Sequence, residues 1–134
     1  MFKPNENISI RDKYKIDFIT QTNKKIQLKG VTKSITKLPL VGVEVKGSHG
    51  RIPQRLYRVG DFDYLVVALD PYISKQIRDL TKNSNIAPDY NFIVIPADAI
   101  PLHERSAEWH RSYYKDIFKF DIRKVKFNDF SLLK

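Results

Sequence analysis

The chain has 134 residues, a length typical of one domain, and 42% of them are hydrophobic, as in globular rather than disordered proteins. It contains no cysteine, which excludes disulfides, cysteine-ligated zinc and thiol nucleophiles. The longest apolar run covers only residues 64–69, whereas a membrane-spanning helix needs about 20 residues. The N-terminus has no apolar signal-peptide stretch, so we expect a cytoplasmic protein.

Positive charge is concentrated in one part of the chain. The formal net charge is +9, from 24 basic and 15 acidic residues. Between Lys24 and Arg58, nine basic residues accompany a single acid, Glu44, so this basic segment alone carries +8. A concentrated basic field attracts polyanions and predicts contacts with nucleic-acid phosphates. A lysine-rich solvated face, an acidic protein partner and a membrane surface are the alternatives. The residues predicted to bind DNA phosphates are Lys33, Lys37, His49, Arg51, Arg55 and Arg58.

The first half of the chain predicts mainly strands. Residues 13–20 and 25–31 both alternate between apolar and polar side chains around a short polar turn, which predicts a β-hairpin. Residues 40–46 carry three valines on one face and predict a third strand. Residues 51–60 are polar and basic, and we expect a short helix there with Pro53 in its first turn.

The second half of the chain predicts buried strands alternating with helices. The apolar run 64–69 predicts a central strand buried on both faces. Helical spacing of apolar residues predicts a helix over 72–80, and a second buried strand is expected over 92–95. Residues 104–115 predict another helix, and residues 118–127 predict a last strand. We therefore expect one α/β (α+β) domain over residues 1–134, with a mixed β-sheet flanked by helices.

One face of the predicted hairpin carries polar side chains of different chemistry. Gln27 and Lys29 share a face because strand side chains repeat every two residues, and strand pairing can place Asp17 beside Gln27. Mg²⁺ prefers carboxylate and carbonyl oxygens as ligands. Lys29 could hold or deprotonate an attacking water, or stabilise charge on a phosphate. The alternative is that all three are ordinary solvent-facing strand residues.

The string Asp17-Phe-Ile … Ile26-Gln-Leu-Lys29 resembles the core of the PD-(D/E)XK nuclease superfamily, in the branch whose last motif is IQVK. The similarity continues through Tyr57-Arg-Val-Gly-Asp-Phe-Asp-Tyr-Leu-Val-Val-Ala-Leu69 and Phe92-Ile-Val-Ile-Pro96. It covers roughly residues 13–100, and its specificity lies in the order and spacing of these motifs.

This resemblance implies a restriction-endonuclease-like fold and Mg²⁺-dependent hydrolysis of phosphodiester bonds in DNA. Asp17 would then be the metal-binding aspartate, Gln27 would take the second metal-ligand position, and Lys29 would be the catalytic lysine. We therefore expect a metal-dependent endodeoxyribonuclease. Many such nucleases dimerise, so a homodimer or a larger protein partner remains an open alternative.

Two departures from the family pattern leave a second function open. Gln27 replaces the commoner glutamate, and a neutral ligand lowers the negative charge of a metal site. The family usually opens with a helix bearing a glutamate, whereas Glu6 is the sole glutamate before the first predicted strand. Either Glu6 serves from an irregular segment, or a helix comes from elsewhere, or the site is incomplete in a fragment lacking that helix. The alternative function is a non-catalytic nucleic-acid-binding module, or a degenerate nuclease domain in a larger assembly.

A rival motif lies in the third predicted strand, where Glu44-Val-Lys46 places an acid and a lysine on one strand face. In that case Glu44 and Lys46 would be the alternative catalytic pair, and Asp17 would lie one strand too far away. We favour Gln27 and Lys29 because the adjacent hairpin strand provides the short separation from Asp17. An exposed strand pair without a catalytic role is the other interpretation of Glu44 and Lys46.

Overall fold

The structure, a computed structural model, describes residues 2–4, 17–47 and 51–134. Its strands are β1 (Phe2–Pro4), β2 (Phe18–Thr20), β3 (Lys25–Gly30), β4 (Leu40–Glu44), β5 (Tyr64–Leu69), β6 (Asn91–Pro96) and β7 (Ile117–Asp121). An α-helix, α1, spans Pro71–Thr81, and short 3-10 turns span Lys33–Ile35, Ala97–Ala99, Ile122–Lys124 and Ser131–Leu133. Among the described residues, no helix has the length and apolar character that crossing a membrane requires.

The strands form two sheets. Five of them make a mixed sheet in the order β1-β2-β3-β5-β6, while β4 and β7 make a separate two-stranded sheet. β3 and β5 run parallel, and the other neighbouring strands pair antiparallel. The prediction of a mixed sheet in an α+β chain is therefore confirmed.

The predicted hairpin is present as β2 and β3. Phe18 pairs with Ile26, so Asp17 lies opposite Gln27 at the next position of the antiparallel register. Asn23 adopts a left-handed conformation in the turn, with a φ of 62°, which asparagine tolerates better than most residues. Residues 13–16 of the predicted first strand lie outside the described part of the chain.

The predicted central strand and the helix after it are confirmed. β5 has the predicted bounds, and it is followed by Asp70, whose Oδ1 accepts a hydrogen bond from the backbone N of Ile73 at 2.8 Å. This bond caps the helix N-terminus, and Pro71 occupies the first helical turn, where its missing N–H costs nothing. The predicted strand over 92–95 is also confirmed, within β6.

The main core is built from one face of the five-stranded sheet, the inner face of the β4–β7 sheet, and helix α1. Its buried residues include Leu65, Val67, Leu69, Ile93, Ile95, Val41, Val43, Phe120, Ile73 and Ile77. A second core lies on the opposite face of the five-stranded sheet, where Ile26, Val66 and Leu133 are buried. β5 is thus buried on both faces, as its continuous apolar sequence predicts.

Two helix predictions are wrong. Residues 104–110 form turns, and the backbone N–H groups of Tyr114 and Lys115 bond to the distant carbonyls of Tyr57 and Pro101, both at 2.8 Å. These long-range bonds replace the local bonds that a helix over 104–115 would need. Residues 52–55 likewise form a turn instead of the helix expected within 51–60. The last predicted strand is shorter than expected, because β7 ends at Asp121 and a 3-10 turn follows it.

A buried polar network ties helix α1, the loop after it and β6 together. The Asn91 side chain is fully buried, and its Nδ2 donates to Ser74 Oγ and to the Ala87 carbonyl, both at 3.0 Å. Its Oδ1 accepts from the Ala87 backbone N at 2.7 Å and from Asn128 Nδ2 at 2.8 Å. All four hydrogen-bonding positions of this amide are therefore used.

Asn91→Ala is expected to lower the free energy of unfolding by about 3 kcal/mol, because it leaves several buried polar groups without partners. Denaturant unfolding of the variant beside wild type measures the loss. Asn85→Ala, in the exposed part of the adjoining loop, is the matched control and should change stability by less than about 0.5 kcal/mol. Equal stability losses in the two variants would contradict the assigned role of the network.

Candidate functional site

Two polar side chains of β3 project from its core-facing side. The parallel register pairs Gln27 with Leu65 and Lys29 with Val67. Leu65 and Val67 belong to the main core, and residues paired across neighbouring strands share a face. Gln27 is consequently only 5% exposed, and Lys29 is half-buried. A buried amide and a half-buried ammonium at core-facing positions require polar partners.

Asp17 supplies one of these partners across the hairpin. Gln27 Nε2 donates to Asp17 Oδ2 at 2.8 Å, and the backbone N of Leu28 donates to the same oxygen at 2.9 Å. Hydrogen bonds to an ionised carboxylate are stronger than those between neutral groups. The two bonds hold the Asp17 carboxylate against β3 and fix which end of the Gln27 amide faces it.

The other end of the Gln27 amide has a carbonyl oxygen that lacks a partner. Gln27 Oε1 is buried and accepts no hydrogen bond within the described part of the protein. An unsatisfied buried acceptor costs about 1–3 kcal/mol. A buried acceptor of this kind can be satisfied by an ordered water or by a bound ion.

A hard divalent cation fits the oxygens available here. Mg²⁺ is held in proteins by one or two carboxylates, by carbonyl oxygens, by water and by substrate phosphates. Asp17 and Gln27 provide one carboxylate and one orphaned carbonyl oxygen, and they are the residues that could hold such an ion. Across the described ranges, no three His, Asp or Glu side chains come together in a metal-binding group. Within those ranges, further ligands would be water, backbone carbonyl or phosphate oxygens, and Glu6 lies outside the described residues.

Lys29 lies on the same strand face, two residues beyond Gln27. Its Nζ donates to the Lys46 carbonyl at 2.9 Å and lies 5.3 Å from the centroid of the Tyr57 ring. Both contacts favour a positively charged nitrogen. Neither partner was identified from the sequence, because Lys46 contributes its backbone and Tyr57 lies 28 positions further along the chain.

The rival pair occupies a different surface. Glu44 pairs with Ile117 in the β4–β7 sheet, and its neighbours Val43 and Val45 are both in the main core. Because side chains alternate along a strand, Glu44 projects from the opposite face. Asp17 bonds to Gln27, and no contact between Asp17 and Glu44 is seen in the described hydrogen bonds and ion pairs. The Lys46 side chain shares the Glu44 face of its strand, whereas its carbonyl reaches Lys29.

The predicted phosphate-binding residues are distributed around both ends of β5. Lys33 lies near its C-terminal end, with Nζ 3.7 Å from Asp70 Oδ2 and 4.8 Å from the centroid of the Tyr72 ring. Arg58 precedes the N-terminal end, where its backbone N donates to Asp61 Oδ2 at 2.8 Å. Six strand residues span about 20 Å, so these two cations do not belong to one compact patch.

The remaining basic residues differ in how freely their side chains can reach a ligand. Lys37 and Arg51 are exposed, whereas Arg55 is half-buried with its Nε donating to the Gly47 carbonyl at 2.9 Å. His49 lies outside the described residues. Most side chains predicted to contact phosphates are therefore exposed, whereas Arg55 also makes a hydrogen bond within the protein.

Asp61 and Asp63 lie just before the first residue of β5. Asp63 Oδ2 accepts from the backbone N of Lys25 at 2.7 Å, which fixes the beginning of β3 to the beginning of β5. Burial raises the pKa of Tyr114, and the carboxylates of Asp61, Asp63 and Asp98 raise it further. Tyr114 therefore stays protonated at neutral pH as a core residue.

The chain was compared with known proteins at three levels. No protein-family model matches it, and neither a curated protein nor a solved structure does.

Proposed function

We propose that this protein is a Mg²⁺-dependent DNA endonuclease of the PD-(D/E)XK type, with a restriction-endonuclease-like core. The observation that carries the proposal is the buried Gln27 carbonyl oxygen without a hydrogen-bond partner, on the same amide whose Nε2 donates to the Asp17 carboxylate. Lys29 follows two residues later on the same strand face, in the order that the nuclease motif requires. The amide oxygen, the carboxylate and the lysine correspond to the metal ligands and the lysine of that motif.

Each residue has a separate task in this proposal. Asp17 and Gln27 would hold the cation, and Gln27 would in turn keep Asp17 oriented through its Nε2 bond. The cation, when bound, would neutralise charge on the scissile phosphate and lower the pKa of a nearby water. The Lys29 ammonium would stabilise the negative charge that develops on the phosphate oxygens. Exposed cations of the basic segment would bind flanking phosphates of the DNA backbone.

A second candidate function is a nucleic-acid-binding module without catalysis. It is favoured by the lack of any three-ligand acidic cluster among residues 2–4, 17–47 and 51–134, and by the neutral side chain at Gln27. Both functions require DNA binding, so cation-dependent nicking of plasmid DNA separates them.

Gln27→Glu tests the cation site without relying on activity. The substitution replaces the Nε2 donor with a second carboxylate 2.8 Å from Asp17, so repulsion should lower the melting temperature in EDTA at neutral pH. Added Mg²⁺ should restore it, because a cation between the two carboxylates removes the repulsion. In nicking assays the variant should need less Mg²⁺ for half-maximal activity than wild type.

Gln21→Glu is the matched control, since it makes the same chemical change at an exposed position of the hairpin turn. Its melting temperature should differ little from that of wild type, with or without Mg²⁺. If Mg²⁺ stabilises Gln27→Glu no more than Gln21→Glu, the cation does not bind at Gln27.

Asp17→Ala and Lys29→Ala test catalysis directly. Each should reduce Mg²⁺-dependent nicking by about 100-fold or more, because each removes a group that stabilises charge in the transition state. DNA binding in a gel-shift assay should be retained by Asp17→Ala, which removes a negative charge. Glu44→Gln is the control, and it should nick like wild type because its side chain lies on another face.

Two other outcomes would overturn this assignment. An inactive Glu44→Gln beside an unchanged Gln27→Glu would transfer the site to Glu44 and Lys46. A wild-type protein that binds DNA but never nicks it, with Mg²⁺ or Mn²⁺, would establish the binding module instead.

The basic segment predicts a steep dependence of DNA affinity on salt. The logarithm of the association constant should fall with the logarithm of salt concentration by about 0.9 per phosphate contact on duplex DNA. Alanine at Lys33, Lys37, Arg51 or Arg58 should reduce that slope by about one for each phosphate that the variant no longer neutralises. Lys75→Ala, on the exposed side of helix α1, should leave the slope unchanged. A salt-independent affinity for DNA would contradict the proposed phosphate contacts.

A further inference from the structure

Lys29 is enclosed by two chain segments that are bonded to each other. Lys46 forms a β-bridge with Leu56, and the Gly47 backbone N donates to the Arg55 carbonyl at 2.7 Å. In the opposite direction, Arg55 Nε donates a hydrogen bond to the Gly47 carbonyl at 2.9 Å. The Lys46 carbonyl and the Tyr57 ring, which are the two described partners of Lys29, therefore occupy fixed relative positions.

The Tyr57 ring is itself held in place. Its side chain is only 5% exposed, and the ring packs at 86° against Phe62, with 5.5 Å between the centroids. Its backbone carbonyl accepts from the Tyr114 N at 2.8 Å. Phe62 is 1% exposed, so neither ring can turn without disturbing the main core.

The partners of Lys29 match the chemistry of an ammonium group. The face of an aromatic ring carries the negative part of its quadrupole and attracts a cation within about 6 Å of the centroid. The Lys46 carbonyl accepts one of the three ammonium donors. A lysine side chain otherwise has a flexible four-carbon stem, and fixing it before the substrate arrives removes an entropic cost from the reaction.

We infer that Tyr57 is a positioning residue for Lys29, whose ammonium it holds over its ring face at the end of the candidate site. Tyr57 acts through Lys29 and has no part in bond making. The inference deepens the proposed nuclease function, on which it rests for the consequence in catalysis, whereas the Lys29–Tyr57 contact can be tested without any activity.

The catalytic consequence is tested by fluorination of the ring at position 57. Fluorine withdraws electron density from the ring face and weakens cation binding while the ring keeps nearly the same shape. Relative to Tyr57→Phe, replacement of Tyr57 by pentafluorophenylalanine should lower the kcat for nicking by about tenfold, within the range of a cation–π contact. KM for DNA and the melting temperature should change far less. The matched control is the same replacement at Phe127, a buried ring of the main core, where kcat should not fall.

The contact itself is tested by NMR of selectively labelled lysine. The ring current of Tyr57 should move the Lys29 ε-proton resonances upfield from those of the exposed Lys37, and pentafluorophenylalanine at position 57 should reduce that displacement. Lys29 resonances at the position of Lys37 in the wild type would overturn the positioning role. Equal kcat values for Tyr57→Phe and the pentafluorophenylalanine variant in an active enzyme would overturn it as well. Displaced Lys29 resonances in a protein that cuts no DNA would support the contact and refute the nuclease.

Discussion

The parallel pairing of β3 with β5 determines both the core and the candidate site. Its register sets Gln27 beside Leu65 and Lys29 beside Val67, on the side of the sheet that the main core covers. Ile26 is thereby directed to the second core with Val66. A shift of one residue would exchange the two faces of β3, burying Ile26 in the main core and turning Gln27 and Lys29 away from it. The register that buries the apolar side chains of β3 correctly is therefore also the register that places Gln27 and Lys29 on one face.

Two buried amides of this protein show the difference between a structural and a ligand-binding role. Asn91 is fully buried, and both its donors and its acceptor oxygen are satisfied by Ser74, Ala87 and Asn128. Gln27 is almost as deeply buried, yet only its Nε2 has a partner while Oε1 has none in the described structure. A polar group that contributed only to stability would be expected to resemble Asn91. The unsatisfied oxygen of Gln27 is explained if a cation binds there.

Local sequence patterns predict the central elements well and the peripheral ones poorly. The apolar run of β5, the helical spacing of apolar residues in α1 and the alternation in β3 are local signals, and the corresponding elements appear where they are predicted. The helix expected over 104–115 fails because hydrogen bonds from Tyr114 and Lys115 to distant carbonyls outweigh local helical spacing. The pairing of β4 with β7 likewise depends on contacts between residues far apart in sequence.

The same distinction applies to the candidate site. The juxtaposition of Asp17 and Gln27 follows from a short hairpin, so strand alternation and a turn suffice to predict it. The environment of Lys29 does not follow from local patterns, because a backbone carbonyl at Lys46 and a ring at Tyr57 reach it only in the folded chain. How the basic side chains are spread around β5 also depends on the tertiary structure, since the sequence shows only that they lie in one segment.

Paramagnetic broadening by Mn²⁺ reports whether the hairpin binds a divalent cation at Asp17 and Gln27. Substoichiometric Mn²⁺ added to the ¹⁵N-labelled protein should broaden the backbone amide signals of Gln27 and Leu28 first, and this selectivity should be lost in Asp17→Ala. Amides near the exposed carboxylates of Asp79 and Asp89, on the helix and in the loop after it, should broaden only at higher Mn²⁺. Broadening that begins at those surface carboxylates, or that is identical in Asp17→Ala, would contradict a cation site at Asp17 and Gln27.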